Sequence, residues 1–170
     1  MSRFVDTLNR IRQSMKPEWM TPGQRAAYDL LRERLRFLDE VNLWGGPGVG
    51  KTFLGWVLHV QGLAIYMPLL ARVEEEPGLP LPRTTVIVDN LGWRREEVRQ
   101  ALHLCRSKGY EKVVLITSEP AQEQMAIVEL RLTEEDIEKV KANLLGISVV
   151  PYRDTPRNLW DLVSPMPLWE

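Results

Sequence analysis

The chain has 170 residues, 44% of them hydrophobic and 26% charged, which is the make-up of a folded domain with a sizeable core and excludes a disordered chain. A formal net charge of −1 and a pI of about 6.2 give no general electrostatic drive toward nucleic acid or an anionic membrane. The single cysteine, Cys105, excludes an intrachain disulfide and suits a reducing, cytoplasmic setting.

Phe4, Val5, Leu8, Ile11 and Met15 recur at helical spacing and predict an amphipathic helix over 2–15, stopped by Pro17. That stretch lacks the unbroken apolar run of a secretion signal. Thr21, Pro22 and Gln24 form a capping-box start for a second helix reaching about Phe37. Its apolar side is Ala27, Leu30, Leu31, Leu35 and Leu38, and Arg25, Arg32, Arg34 and Arg36 read as a solvated face. Val41–Trp44 is a short apolar strand, followed by a glycine-rich turn and a helix from Lys51 to about Gln61 that Gly62 ends. Leu63–Met67 is a second strand. The run "WVLHVQGLAIYMPLLA" is broken by His59, Gln61, Gly62 and Pro68 and falls short of the ~20 residues of a membrane span. Residues 68–83 are a Pro-rich, acidic connection with room for one helical turn. Thr84–Val88 is a third strand, apolar enough to be buried on both faces. Residues 94–107 are a helix ended by Gly109, Lys112–Thr117 a fourth strand and Ala126–Leu132 a fifth.

Thr133 and Asp136 mark the last helix start, with Leu132 placed to staple against Ile137 and Gly146 placed to end it. Strands alternating with helices predict an α/β fold with a mostly parallel sheet. The organisation read from this pass is an N-terminal helical segment (1–40), a core (41–146) and a Pro/Trp-rich tail (147–170) in which Val149–Tyr152 is a candidate edge strand. His59 and His103 have no metal-ligand spacing, and Cys105 reads as a small buried residue.

The strongest chemical pattern is "LWGGPGVGKT", which contains G-x-x-x-x-G-K-T from Gly45 to Thr52. Gly45, Gly46, Pro47, Gly48, Val49 and Gly50 make up the candidate phosphate-binding turn, since backbone N–H groups in a Gly-rich turn point inward and form an anion nest. The following helix adds its positive end. Lys51 is then placed for β- and γ-phosphates and Thr52 for Mg²⁺. The apolar strand "TTVIVDN" ends in Asp89, a candidate second Mg²⁺-side carboxylate, because ligand groups gather at the carboxyl ends of parallel strands. Asn90 follows, where an acidic residue would polarise an attacking water. An amide orients water but accepts no proton, so Asn90 argues for slow hydrolysis. The strand "KVVLITSEP" ends in Thr117 and Ser118, candidate γ-phosphate sensors, and Glu119, a candidate displaced general base.

The glycine loop, "VIVDN", "VVLITSE" and "AIVELRLTEEDIEKVKANLLG" resemble, in that order, the nucleotide-binding core of STAND and AAA+ P-loop ATPases over about residues 20–146. The resemblance implies a three-layer P-loop NTPase core with a five-stranded sheet of order 5-1-4-3-2, ATP and Mg²⁺ as cofactors, and a helical lid or winged-helix domain beyond the core. Glu119 stands where STAND relatives carry a sensor arginine. With no full lid in this stretch, the adenine side is open, or is closed by the N-terminal helices or by a partner.

Arg94 and Arg95 sit where a helix begins, a place unfavourable to cations, and read as surface arginines or as an arginine finger in trans. Trp19, Trp93, Trp160 and Trp169 fall in loops or tail, and "NLWDLVSPMPLWE" reads equally as a docking segment for a protein partner or as a segment packed on its own domain. The leading expectation is a Mg²⁺–ATP-binding switch with slow or partner-stimulated hydrolysis inside a larger assembly. The alternatives are a non-catalytic interaction module and a DNA-remodelling helper ATPase; for the last, only the arginines speak. Guanine is not expected, since no N/T-K-x-D pattern follows the fourth strand.

Overall fold

A central parallel sheet is dictated by four runs of β-branched and aliphatic residues that are too short for helices and too apolar for a solvated face. In the computed structural model, which describes residues 3–77 and 84–164, these runs are β1 (Glu40–Trp44), β2 (Ile65–Met67), β3 (Thr85–Val88) and β4 (Lys112–Thr117), with β5 (Ala126–Glu129) at one edge. The order is β2-β3-β4-β1-β5 with every pair parallel. Read from the β5 side this is 5-1-4-3-2, and the chain has the three-layer α/β fold of a P-loop core.

Side chains alternate across the sheet. Val41, Leu43, Ile87, Val114 and Ile116 face α2 (Pro22–Phe37) and α3 (Lys51–Val60), where they meet Ala27, Leu31, Leu54 and Leu58. Val86, Val88, Val113 and Leu115 face the other way, toward α4 (Leu70–Glu75) and α5 (Arg95–Ser107), where Val73, Val98, Ala101 and Cys105 complete the layer. Full burial of each such aliphatic side chain is worth roughly 1.5–3 kcal/mol. A third cluster joins α1 (Arg3–Ser14), α6 (Glu134–Gly146) and α7 (Trp160–Val163), with Leu144, Val149, Leu162 and Val163 buried and Phe4, Leu8 and Ile11 packed on them.

Both marked helix starts form capping boxes. Thr21 Oγ1 accepts from Gln24 N–H while Gln24 Oε1 accepts from Thr21 N–H, and Thr133 and Asp136 do the same at α6. Asp136 does more than cap. Its Oδ1 also accepts from Gly23 N–H at 2.7 Å, so one carboxylate ties the starts of α2 and α6 together. Burial alone would raise its pKa, but hydrogen bonds from Gly23, Thr21 and Thr133 hold it below the usual carboxylate range.

The tail departs from expectation. Val149–Tyr152 forms no strand. Val149 N–H instead donates to Leu144 O at 2.9 Å, and its side chain fills the cluster of α6 and α7. Gly146 is the last residue of α6 rather than its terminator, and the left-handed residue that turns the chain is Ser148 (φ 58°). Strands β2, β3 and β5 are also shorter than their apolar runs. The arginines of α2 are exposed as expected, and Arg25 and Arg32 stack on the Tyr28 ring at 5.5 and 5.7 Å. Among the described residues no helix is long and apolar enough to cross a membrane.

Candidate functional site

Parallel pairing puts the carboxyl ends of β1, β3 and β4 side by side, so the segments after Trp44, Val88 and Thr117 open onto one cleft. Its volume is about 510 Å³, and its wall includes Gly48, Gly50, Lys51, Thr52, Asp89 and Ser118.

The glycine loop between β1 and α3 needs backbone shapes that side chains resist. Gly48 (φ 71°) and Gly50 (φ 100°) are both left-handed, and Gly50 is the N-cap of α3. The N–H groups of Gly48 and Gly50 have no hydrogen bond to another described residue, while Gly45 N–H donates to Thr117 O at 3.3 Å. Such inward N–H groups at a helix start make an anion nest. Lys51 Nζ donates to Gly46 O at 2.8 Å and to Gly45 O. Burial lowers its pKa to about 8, partly offset by the charge of Asp89.

Asp89 is buried at the end of β3. Its Oδ2 accepts from Thr52 Oγ1 at 2.6 Å and from Tyr66 Oη at 2.6 Å, and its Oδ1 accepts from Asn90 N–H at 2.7 Å. Thr52 and Asp89 therefore present a hydroxyl and a carboxylate side by side, an oxygen-only pair suited to Mg²⁺, a hard cation that keeps several waters. Among the described residues no group of three or more His, Cys, Asp or Glu gathers to hold a metal. A cation here would take its remaining ligands from water and a bound phosphate.

The other predicted residues are placed less centrally. Asn90 lines the cleft in a left-handed conformation (φ 54°), and its Nδ2 donates to Pro68 O at 3.0 Å, away from Asp89. The Thr117 hydroxyl is doubly engaged. It donates to Glu119 O at 2.6 Å and accepts from Asn42 Nδ2 at 2.9 Å. Ser118 is half-buried on the cleft wall, whereas the Glu119 side chain is exposed and does not line it. Gly46 lies apart from any neighbour that an added Cβ would meet, Pro47 is exposed at the rim, and Val49 packs against the core. Arg94 and Arg95 are exposed and lie outside the cleft lining. Arg94 N–H donates to Glu97 Oε2, and acidic Glu96 and Glu97 offset the two cations at the start of α5.

Several cleft residues lie beyond any local pattern. Gln24, read from sequence only as a cap, also donates from Nε2 to Gly50 O at 3.0 Å. Leu159 N–H donates to Gly48 O at 2.8 Å. A Cβ on Gly48 would lie 2.6 Å from Trp160 Cδ1 and 2.8 Å from Asn158 Cγ, so residues 158–160 pack directly on the glycine loop. Trp160 meets the Phe4 ring at 5.8 Å, and Leu8 and Ile11 of α1 continue the apolar wall. Residues 158–164 thus pack on their own domain, while Trp169 lies outside the described residues. Trp19, Trp93 and Trp160 are half-buried.

No family model and no curated protein matches the chain. Among solved structures it is similar to RuvB of Thermotoga maritima, described as a Holliday junction branch migration motor, with 17% identity over 75% of this chain and 50% of that one at a TM-score of 0.48. Two single-site variants of the same protein match at 17% identity: one over 74% of this chain and 49% of that one (TM-score 0.48), the other over 80% and 53% (TM-score 0.45). The chain spans about half the length of these structures.

Proposed function

We propose that this protein is a Mg²⁺–ATP-binding switch of the STAND/AAA+ kind with slow or partner-stimulated hydrolysis. The observation that carries this reading is that Asp89 is the only carboxylate among the described residues lining the cleft, and it is already held by Thr52 and Tyr66. A carboxylate so engaged suits metal holding better than proton abstraction. In this reading the N–H groups of Gly48, Val49 and Gly50 cradle phosphate oxygens. Lys51 moves its ammonium from the carbonyls of Gly45 and Gly46 onto the polyphosphate. Thr52 and Asp89 would hold the metal. Bound Mg²⁺ would supply charge neutralisation at the phosphates. Ser118, at the carboxyl end of β4, is the better placed of the two sensor candidates, because the Thr117 hydroxyl serves the turn. The apolar wall of α1, α6 and α7 offers the base a covered side.

Equilibrium binding tests it. Wild-type protein binds ATP with a dissociation constant in the micromolar range, and Lys51→Ala weakens this at least tenfold; an unchanged affinity refutes the reading. A second reading, a non-catalytic module, is favoured by two observations: the Lys51 ammonium is satisfied by loop carbonyls, and residues 158–160 already lean on Gly48. Phosphate release at saturating ATP separates the two, since the module releases none.

A further inference from the structure

Tyr66 has no role in the pattern of glycine loop and strand-end aspartate, yet its hydroxyl reaches the centre of the site. It lies on β2, in register with Ile87 of β3, one strand over from the Asp89 end. Its Oη donates to the same Asp89 oxygen that accepts from Thr52, both at 2.6 Å, and Asn90 N–H takes the other oxygen. The route is made by a glycine. Gly55 lies one turn along α3 from Thr52, and a Cβ there would sit 2.9 and 3.1 Å from Tyr66 Cδ2 and Cε2. Only a bare backbone at position 55 lets the ring pass across the helix. Trp56 then closes on the ring edge-on, at 6.5 Å and 82°.

We propose that Tyr66 is a positioning residue that fixes the Asp89 carboxylate for the metal accompanying a bound nucleotide, and that Gly55 exists to admit its ring. The inference rests on the Mg²⁺–nucleotide reading above and deepens it. Thr52 can donate its proton to Asp89 while its oxygen lone pair turns to a metal. Tyr66, a second donor to the same Asp89 oxygen, then keeps the carboxylate from rotating with it. Residues that hydrogen-bond to metal-site carboxylates typically contribute about 10–100-fold to metal affinity.

The test measures ATP affinity of the full chain by titration, once with excess Mg²⁺ and once with EDTA, alongside thermal unfolding. The ratio of the two affinities is the Mg²⁺-dependent gain. Tyr66→Phe keeps the ring and its packing and removes only the hydroxyl. It is expected to lose about tenfold of that gain with its EDTA affinity unchanged. Gly55→Ala, which displaces the same ring, is expected to show the same loss. A wild-type gain retained in Tyr66→Phe overturns the proposal, as does an EDTA affinity that falls in parallel, which would mark Tyr66 as general scaffolding. A loss in Gly55→Ala alone overturns it too, by placing the effect on helix–sheet spacing. Wild-type protein that binds no ATP in either buffer overturns the nucleotide reading itself, and the Tyr66 proposal with it.

Discussion

Asn42 offers a measure of how firmly the cleft is braced from below. It sits fully buried in β1 and makes three hydrogen bonds: Nδ2 donates to Leu115 O at 3.0 Å and to Thr117 Oγ1 at 2.9 Å, and Oδ1 accepts from Ala121 N–H at 2.9 Å. One side chain therefore holds the end of β4 and the bend beyond it, the stretch that carries Ser118 onto the cleft wall. Asn42→Ala orphans the buried Ala121 N–H, at about 1–3 kcal/mol, and removes two donated bonds of about 0.5–1.5 kcal/mol each. The expected loss is about 3 kcal/mol of folding stability. For a chain of this size, at about 2–4 °C per kcal/mol, the melting temperature falls by about 10 °C. Asn42→Asp keeps the acceptor for Ala121 but points a buried carboxylate at the Leu115 carbonyl, and is expected to be at least as damaging at neutral pH. Urea unfolding followed by circular dichroism reads both, with the slope unchanged and the midpoint lowered. Midpoints for both variants corresponding to less than about 0.5 kcal/mol would refute the bracing argument.

Two further perturbations probe other joints of the site. Because the folded pKa of Asp136 is depressed, its contribution is fully present above the unfolded value of about 3.9 and is lost as pH falls through the lower, folded value. Asp136→Asn should therefore melt below wild type at pH 7, with the gap closing toward pH 3; a gap constant with pH in thermal scans contradicts the linkage. Gly48→Ala forces a Cβ onto a left-handed residue, at about 1–2 kcal/mol, and drives it into Trp160 and Asn158. Trypsin should then cut faster after Arg157 in the variant, and an unchanged cutting rate would mean that the 158–160 segment does not depend on that contact.

What could be read from the sequence was local. Thr21 with Gln24 and Thr133 with Asp136 specify their helix starts within four residues. The glycine-rich turn Gly45–Thr52 and the strand-end Asp89 stand out because each is marked by a short fixed spacing, and the fold brings Thr52 and Asp89 together. The strand order came from resemblance rather than from periodicity, which is blind to which strand lies beside which. The misreadings were also local. Val149–Tyr152 has the composition of a strand, but Val149 gains more by filling the α6–α7 cluster, and the turn is made by Ser148 where Gly146 was the natural candidate. No motif named Tyr66 on Asp89, Gln24 on Gly50 or Leu159 on Gly48. Each joins residues far apart in the chain, and no spacing rule encodes such a meeting. Gly55 was the one local hint, a glycine inside a helix that costs about 1 kcal/mol and so asks for a packing reason.

The cover over the glycine loop also sets an order of assembly. Its ties reach across more than a hundred positions: Leu159 to Gly48, Asn143 to Trp19, Arg10 to Ile147. The sheet and the loop, by contrast, are complete once β5 is paired. During synthesis the glycine loop therefore emerges before the residues that cover it. In that interval the loop stands open, and the apolar side of α1 lacks its α6 and α7 neighbours. The apolar face of α1, carrying Phe4, Leu8 and Ile11, is therefore not fully covered until α6 and α7 have been made.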